Sequence, residues 1–391
     1  MLFKATACIN LHYSRDMKIL CLIDSLNSGG AQRQLCMLAV LLKRNGYDVE
    51  VLTYYDYNFY RPLLDSANVP VRTAAAQGPI GRIFAVRKAI YECKPDVVIA
   101  YMGTPSLMAE LATLPRRKFR LIVSERSSDQ NINVNIKLRL LSHRLADAVL
   151  TNSYTQADFI RRSAPTLADK IQTIINCVDL NTFKVIESPV MNSAIINLVV
   201  VARFHSLKNP MGLVNAMNIV HHDKGHKNIA VNWYGNNLLT NGKPTKGPMA
   251  FLAAKEAIKK YALENFFSLH GPVLDIARIY QSATALCLPS LYEGCSNVIG
   301  EAMACGKPIL ASNVCDNSLL VMDGENGFLF DPKDPQDIAA AIIRFAERSP
   351  VQLEQMGQAS RKRAEKMLSP DVFVNKYIEL IEQVTANRKR L

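Results

Sequence analysis

No run of apolar residues in this 391-residue chain reaches the roughly 18–20 needed to cross a bilayer, so no membrane-spanning helix is expected. No pair among its nine cysteines has C-x-x-C spacing, and the count is odd. Both facts disfavour a zinc site or a disulfide framework and point to a reducing compartment with small, buried thiols. Zinc-finger spacing, RNP-like aromatic motifs and a Lys/Arg-rich arm are also missing, which disfavours nucleic acid as a partner. The N-terminus has no signal-peptide core, because Asn10, His12, Ser14, Arg15 and Asp16 interrupt it. A cytoplasmic protein is expected.

The composition that remains is that of a globular protein, 49% hydrophobic and 20% charged, and the length suits two domains. The net charge of +12 is compatible with a solvated basic surface, an anionic membrane or anionic small substrates.

Residues 1–16 read as an extension, with patterned sequence starting at Met17. Lys18–Asp24 is a short strand-type run, followed by Ser28-Gly29-Gly30, a helical pattern over Ala31–Lys43 and a second strand at Val49–Tyr54. Further strands are expected at Val97–Tyr101, Leu121–Ser124, Ala148–Thr151 and Ile171–Ile175, with helices such as Ile136–Leu145 and Gln156–Arg162. A second series opens at Ile195–Val201 and continues through strands at Ala230–Tyr234, Phe267–Leu269, Ala285–Leu288, Pro308–Ala311 and Gly327–Phe330. Residues 185–194 read as a linker and Asp371–Gln383 as a final helix. The expected fold class is α/β, with two Rossmann-like, doubly wound parallel-sheet domains facing across a cleft. The domains are expected at 17–190, joined by the C-terminal helix 370–391, and at 191–369.

One constellation stands out in the second half. A strand ends at Pro289, a loop carries Glu293, Gly294 and Cys295, Ser296 is placed to cap a helix, and the helix runs through Glu301 to Ala304. The backbone N–H groups at Ser296, Asn297 and Val298 suit a diphosphate, since a helix start leaves them without partners of its own. Glu301 lies about 7 Å along the axis, the reach from a diphosphate to a ribose whose hydroxyls a carboxylate can accept. Glu293 falls on the sugar side. Earlier, the run Val199–Ala202 delivers Arg203 at a strand's carboxyl end, with Lys208 in the next loop, a fork and a point charge suited to a diphosphate leaving group. Gly29 and Gly30, between the first strand and helix, allow close backbone approach to a ligand, although the turn is not G-x-G-x-x-G. A basic series, Arg116, Arg117, Lys118, Arg120, Arg126, Lys137, Arg139, His143 and Arg144, reads either as a surface for anionic lipid or as an ordinary basic face.

With these motifs in this order, the chain from Met17 onward resembles glycosyltransferase family 4, retaining enzymes of GT-B architecture, of the bacterial polysaccharide and glycolipid type. The Glu-x7-Glu signature, Glu293 to Glu301, continues as Ala302-Met-Ala-Cys-Gly306-Lys-Pro308. It is joined by Ala202-Arg203 with Lys208, Ser28-Gly29-Gly30-Ala31, Ile175-Asn176-Cys177-Val178-Asp179 with Phe183, and Asn326-Gly327-Phe328-Leu329. The resemblance implies a nucleotide-sugar donor such as a UDP-sugar, no metal and no other cofactor, and retention at the anomeric carbon. It implies that Arg203 and Lys208 neutralise the departing diphosphate, that Gly30 approaches the phosphate or sugar, and that Glu301 and Glu293 hold ribose and sugar. It also implies a final helix crossing back to the first domain, and domains that close over the donor. Two positions depart from the pattern: many members carry a histidine after the strand here ending at Tyr101, where this chain reads Ala100-Tyr101-Met102-Gly103-Thr104, and Cys177 stands where glycine is usual.

The expected function is therefore a metal-independent hexosyltransferase that moves a sugar from a nucleotide to an acceptor hydroxyl in polysaccharide or glycolipid assembly. The acceptor is a saccharide or a lipid-linked one, and the enzyme is cytoplasmic with peripheral contact at an anionic inner membrane face. Two alternatives stand beside it: a sugar-nucleotide epimerase of related fold, and a catalytically inactive nucleotide-binding partner protein.

Overall fold

The computed structural model describes residues 17–126, 131–186, 195–236 and 246–386. The extension 1–16, with Cys8, and most of the expected linker lie outside the described residues. The chain divides into two compact units, one running to Asn176 and resuming at Asp371, the other spanning Cys177–Pro370.

The first unit comprises β1 (Lys18–Leu22), α1 (Gly30–Arg44), β2 (Asp48–Thr53), α2 (Arg61–Ser66), β3 (Val71–Thr73), α3 (Gly78–Cys93), β4 (Val97–Tyr101), α4 (Gly103–Ala112), β5 (Arg120–Glu125), α5 (Val134–Ser142), β6 (Ala148–Thr151), α6 (Tyr154–Ser163) and β7 (Ile171–Thr173). Its strands are all parallel, in the order β3-β2-β1-β4-β5-β6-β7. The second comprises β8 (Ile196–Val201), α7 (Pro210–Asn218), β9 (Ile229–Tyr234), α8 (Lys246–Lys260), β10 (Phe267–His270), α9 (Ile276–Ser282), β11 (Ala285–Leu288), α10 (Asn297–Ala304), β12 (Ile309–Ser312), α11 (Asn317–Leu320), β13 (Gly327–Phe330), α12 (Pro335–Ala346) and α13 (Pro350–Leu368). It too is parallel, ordered β10-β9-β8-β11-β12-β13. The last helix, α14 (Pro370–Ala386), is counted with the first unit from Asp371 onward.

Both sheets are the doubly wound, Rossmann-like kind expected from the sequence. The strand order reverses between β1 and β4 in one and between β8 and β11 in the other, and the carboxyl ends beside such a switch are where ligands bind. The physical origin is visible in the strands. Every residue of β4, β11 and β12 is buried, which is what a parallel sheet covered on both faces requires. The core of the second unit gathers Val200, Trp233, Phe328 and Ile342 from strands and helix alike. All eight described cysteines are free thiols, six of them buried, and burial pushes Cys21, Cys36, Cys287 and Cys305 up to about 12.

The basic series between Arg116 and Arg144 differs from a uniform solvated face. Arg117 and Arg120 each donate to Asp147 at 2.9 Å, and Arg139 Nε lies 3.1 Å from Glu125. The helix expected over Ile136–Leu145 is instead α5, ending at Ser142, followed by a 3₁₀ turn at His143–Leu145. That turn carries His143 into the interior, between Glu110 (2.6 Å from Nδ1) and Glu125 (3.0 Å from Nε2), with all three buried. No helix among the described residues is long and apolar enough to cross a membrane.

Burial alone pushes His143 down, but the two carboxylates outweigh it and raise it from the ordinary 6.5 to about 9. The imidazolium therefore stabilises the fold fully below 6.5, and that stabilisation is lost as pH rises through about 9. Such a shift corresponds to about 3 kcal/mol. Thermal unfolding scanned from about pH 6 to about pH 10 should show a falling midpoint. His143→Gln should start lower and lose most of that slope.

Candidate functional site

In the second unit the candidate residues are set by three short segments at the carboxyl ends of neighbouring strands. The first follows β8. The turn at Ala202-Arg203 is pinned by Trp233, whose indole N–H donates to the Ala202 carbonyl at 2.8 Å, and by the Phe204 amide donating to Asn236. Gly235 permits this approach, because a Cβ there would lie 1.9 Å from the Ala202 carbonyl oxygen. Arg203 emerges exposed. A 3₁₀ turn, Ser206–Lys208, then meets α7 through Asn209, a left-handed residue whose side chain accepts from the Gly212 amide and donates to the Pro332 carbonyl. Lys208 is held at that corner.

The second segment follows β11. The Leu291 amide donates to the Leu207 carbonyl at 2.8 Å, tying the two loops together. Glu293 Oε1 receives both the Lys208 ammonium, at 2.5 Å, and the Ser290 hydroxyl, at 2.6 Å. Glu293 is 9% exposed and Glu301 3%. Neither is the solvated surface carboxylate that an ordinary loop and helix would carry, and a charge withdrawn from water has to be paired or hydrogen-bonded. Lys208 supplies that pairing for Glu293. An ammonium has three donors, so one bond to Glu293 does not exhaust it.

The third segment is α10. Ser296 occupies its N-cap position, although its side chain makes no capping bond, and Asn297 and Val298 form the first turn, half-buried. The helix itself gives its leading N–H groups no partner. Glu301, in the next turn, accepts a hydrogen bond at Oε2 from the Tyr280 hydroxyl of α9 at 2.9 Å. Tyr280 is fully buried, with the Phe183 ring 6.1 Å away. The far end of α10 is fixed by Arg361, which donates to the Ala304 and Phe183 carbonyls. Gly300 lets Val178 and Leu368 come within 2.9 Å of where a Cβ would stand. The structure thus places Arg203, Lys208, Glu293, Gly294, Cys295 and Ser296 on the segments that follow β8 and β11 beside the switch, and Asn297, Val298 and Glu301 on the helix α10 that comes next.

Gly29 and Gly30 belong to the first unit. Gly29 is the extended N-cap residue of α1, and Gly30 is its first residue. Gln32 folds back over them to donate to Asp24 at 3.1 Å. At the end of β4, just ahead of the segment where the resemblance implies a histidine, Tyr101 is fully buried, 2.5 Å from the Tyr377 hydroxyl of α14 and under the Arg126 guanidinium. Burial raises Tyr101 well above its ordinary value, so it stays a neutral phenol. Among the described residues, no three His, Cys, Asp or Glu side chains converge as a metal set.

Sequence reasoning missed Tyr280, Ser290 and Gly235. Ser290, beside Pro289 at a strand end, carried a local signal. Tyr280 and Gly235 act through contacts that only the fold creates.

Comparison with known proteins gives the family. Residues 28–182 match the model described as Glycosyltransferase Family 4, and residues 196–348 the one described as Glycosyl transferases group 1. The amylovoran biosynthesis glycosyltransferase AmsD of Erwinia amylovora is 26% identical over 344 residues, 84% of this chain and 92% of its own. An α-1,4-N-acetyl-D-galactosaminyltransferase of Campylobacter jejuni is 25% identical over 338 residues, 83% of this chain and 88% of its own. Among solved structures, a glycosyltransferase from Rickettsia africae superposes with a TM-score of 0.80 at 18% identity, covering 94% of this chain and 98% of that one. HepE of Anabaena, solved with UDP and glucose, superposes with a TM-score of 0.80 at 20% identity, covering 94% of this chain and all of that one.

Two substitutions test the supports of this site. Tyr280→Phe removes one donor from a buried carboxylate and should destabilise the protein by about 1–3 kcal/mol. Gly235→Ala drives a methyl into the Ala202 carbonyl and should cost at least about 2 kcal/mol. Chemical denaturation measures both, and an unchanged midpoint in either variant contradicts the geometry.

Proposed function

The chain belongs to the family 4, group 1 glycosyltransferases and has their GT-B fold, and on that premise we propose that it transfers a sugar from a nucleotide donor to an acceptor hydroxyl in polysaccharide or glycolipid assembly. The observation that carries this reading is the buried Glu293, paired with Lys208 at the mouth of the sheet, on the loop that leads into the helix carrying the buried Glu301. Breaking an anomeric C–O bond builds negative charge on the departing diphosphate. Arg203, Lys208 and the first turn of α10 are fixed positive groups where that charge appears, which is how a site lowers such a barrier. Glu301, oriented by Tyr280, takes the ribose hydroxyls, and Glu293 takes the sugar.

With the leaving group served by side-chain cations and backbone N–H groups, the reaction proceeds without a metal. No side chain is assigned as a nucleophile. The acceptor hydroxyl attacks the face that the diphosphate leaves, its proton passes to the leaving phosphate, and the configuration is retained. A UDP-sugar is the proposed donor, in keeping with the UDP bound to HepE. A saccharide carried on a lipid is the proposed acceptor, in keeping with the undecaprenol-linked substrate in the Campylobacter enzyme's name.

The purified protein, screened against UDP-, GDP- and ADP-sugars, should release nucleoside diphosphate only when an acceptor is present, and turnover should survive a chelator. Arg203→Ala and Lys208→Ala should each lower kcat about 10²–10³-fold. Near-normal turnover in both would sink the assignment. Glu301→Ala should weaken UDP binding by roughly ten- to a hundredfold, the worth of about 1.5–3 kcal/mol for a bond to a charged group. An unchanged Kd in calorimetry rules out the ribose role.

A further inference from the structure

We infer that α5 seats this protein on an anionic bilayer by inserting a strip of apolar side chains, an inference that rests on the lipid-linked acceptor proposed above. The inner face of α5 is spent on the core, where Ile136 and Leu140 are buried. Its outer face is apolar as well. Val134 is 71% exposed, Leu138 60% and Leu141 54%, and Ile132 ahead of the helix is 45% exposed. Positions 134, 138 and 141 follow the i, i+4, i+7 spacing that lines one side of a helix. The helix is well started, with the Asn133 side chain accepting from the Ile136 amide, so the strip is presented by a formed element. Large aliphatic side chains grouped in this way mark a surface meant to be covered.

Charge identifies what covers it. From residue 131 to residue 146 the sequence contains no Asp or Glu. Lys137 and Arg144 are exposed along the same stretch, on a chain of net charge +12. Apolar anchors flanked by cations fit a layer with hydrocarbon below and phosphate above. The basic series alone did not establish this, since Arg117, Arg120, Arg139 and His143 are engaged internally. A helix of nine residues gives a shallow, reversible foothold.

Co-sedimentation of the full chain with phosphatidylcholine vesicles, with and without phosphatidylglycerol, tests the inference. The protein should sediment with the anionic vesicles and weakly with the neutral ones. Leu138→Ser/Leu141→Ser should lower the partition coefficient at least tenfold, while its circular dichroism and UDP binding stay as in the wild type. Leu138→Trp should show a blue-shifted, brightened emission on addition of anionic vesicles, against the single buried Trp233 of the native chain. Failure of the wild type to sediment, or equal sedimentation of the double variant, overturns the inference. So does a native dimer that the double variant turns into a monomer without loss of vesicle binding, because the strip then covers a second copy. UDP calorimetry on the same samples keeps the outcomes apart: intact UDP binding with no vesicle binding removes the docking alone, and absent UDP binding removes the donor-site reading alone.

Discussion

A carboxylate taken out of water has to be met by a donor, and the loops and helix after β8 and β11 are organised around meeting that demand for Glu293 and for Glu301. Glu301 is met by Tyr280, and Glu293 by Lys208 and Ser290. Each donor comes from a different part of the chain, so each bond fixes a loop or helix as well as a charge. Tyr280 reaches Glu301 because α9 packs beside α10, with Phe183 near its ring. Lys208 reaches Glu293 because the Leu291 amide docks on the Leu207 carbonyl. A buried ion pair contributes little net stability once desolvation is counted. Its value here is geometric, since it holds two functional groups at a defined separation.

The glycines serve the same end by letting backbones close. Gly235 allows Ala202 to be gripped by Trp233, which sets where Arg203 leaves the sheet. Gly327 lets β13 run against Ile309, whose carbonyl oxygen would lie 1.8 Å from an added Cβ. Gly357 of α13 meets the Gly306 backbone in the same way. The run from Ala302 to Pro308 is thus a packing device as much as a sequence signature, and it keeps α10 from drifting away from the loops it faces.

Much of this was legible beforehand, for physical reasons. Parallel strands buried on both faces must be continuous apolar runs, so β4, β8 and β11 were readable within a residue of their ends. Motif spacing placed Glu293 and Glu301 on a loop and a helix, where they are. Short or solvated elements carried a weaker signal: β3 has only three residues, and the 19-residue α13 declares itself mainly through its Ser349–Gln352 capping box. His143 was misread because periodicity describes a helix face and cannot announce a 3₁₀ turn that swings one residue inward. Tyr280 was invisible because its role depends on a partner 21 positions away that only folding brings near.

The position of α14 has a consequence for how the protein is made. Tyr377 joins the hydrogen-bonded group formed with Tyr101 and Arg126, yet it is translated after every residue of the second unit. On the ribosome the second unit has all its strands in one contiguous stretch and can condense as it emerges, as domains generally do. The first unit, begun earlier, waits with Tyr101 and Arg126 lacking that partner until α14 has emerged. The domain that starts first is completed last.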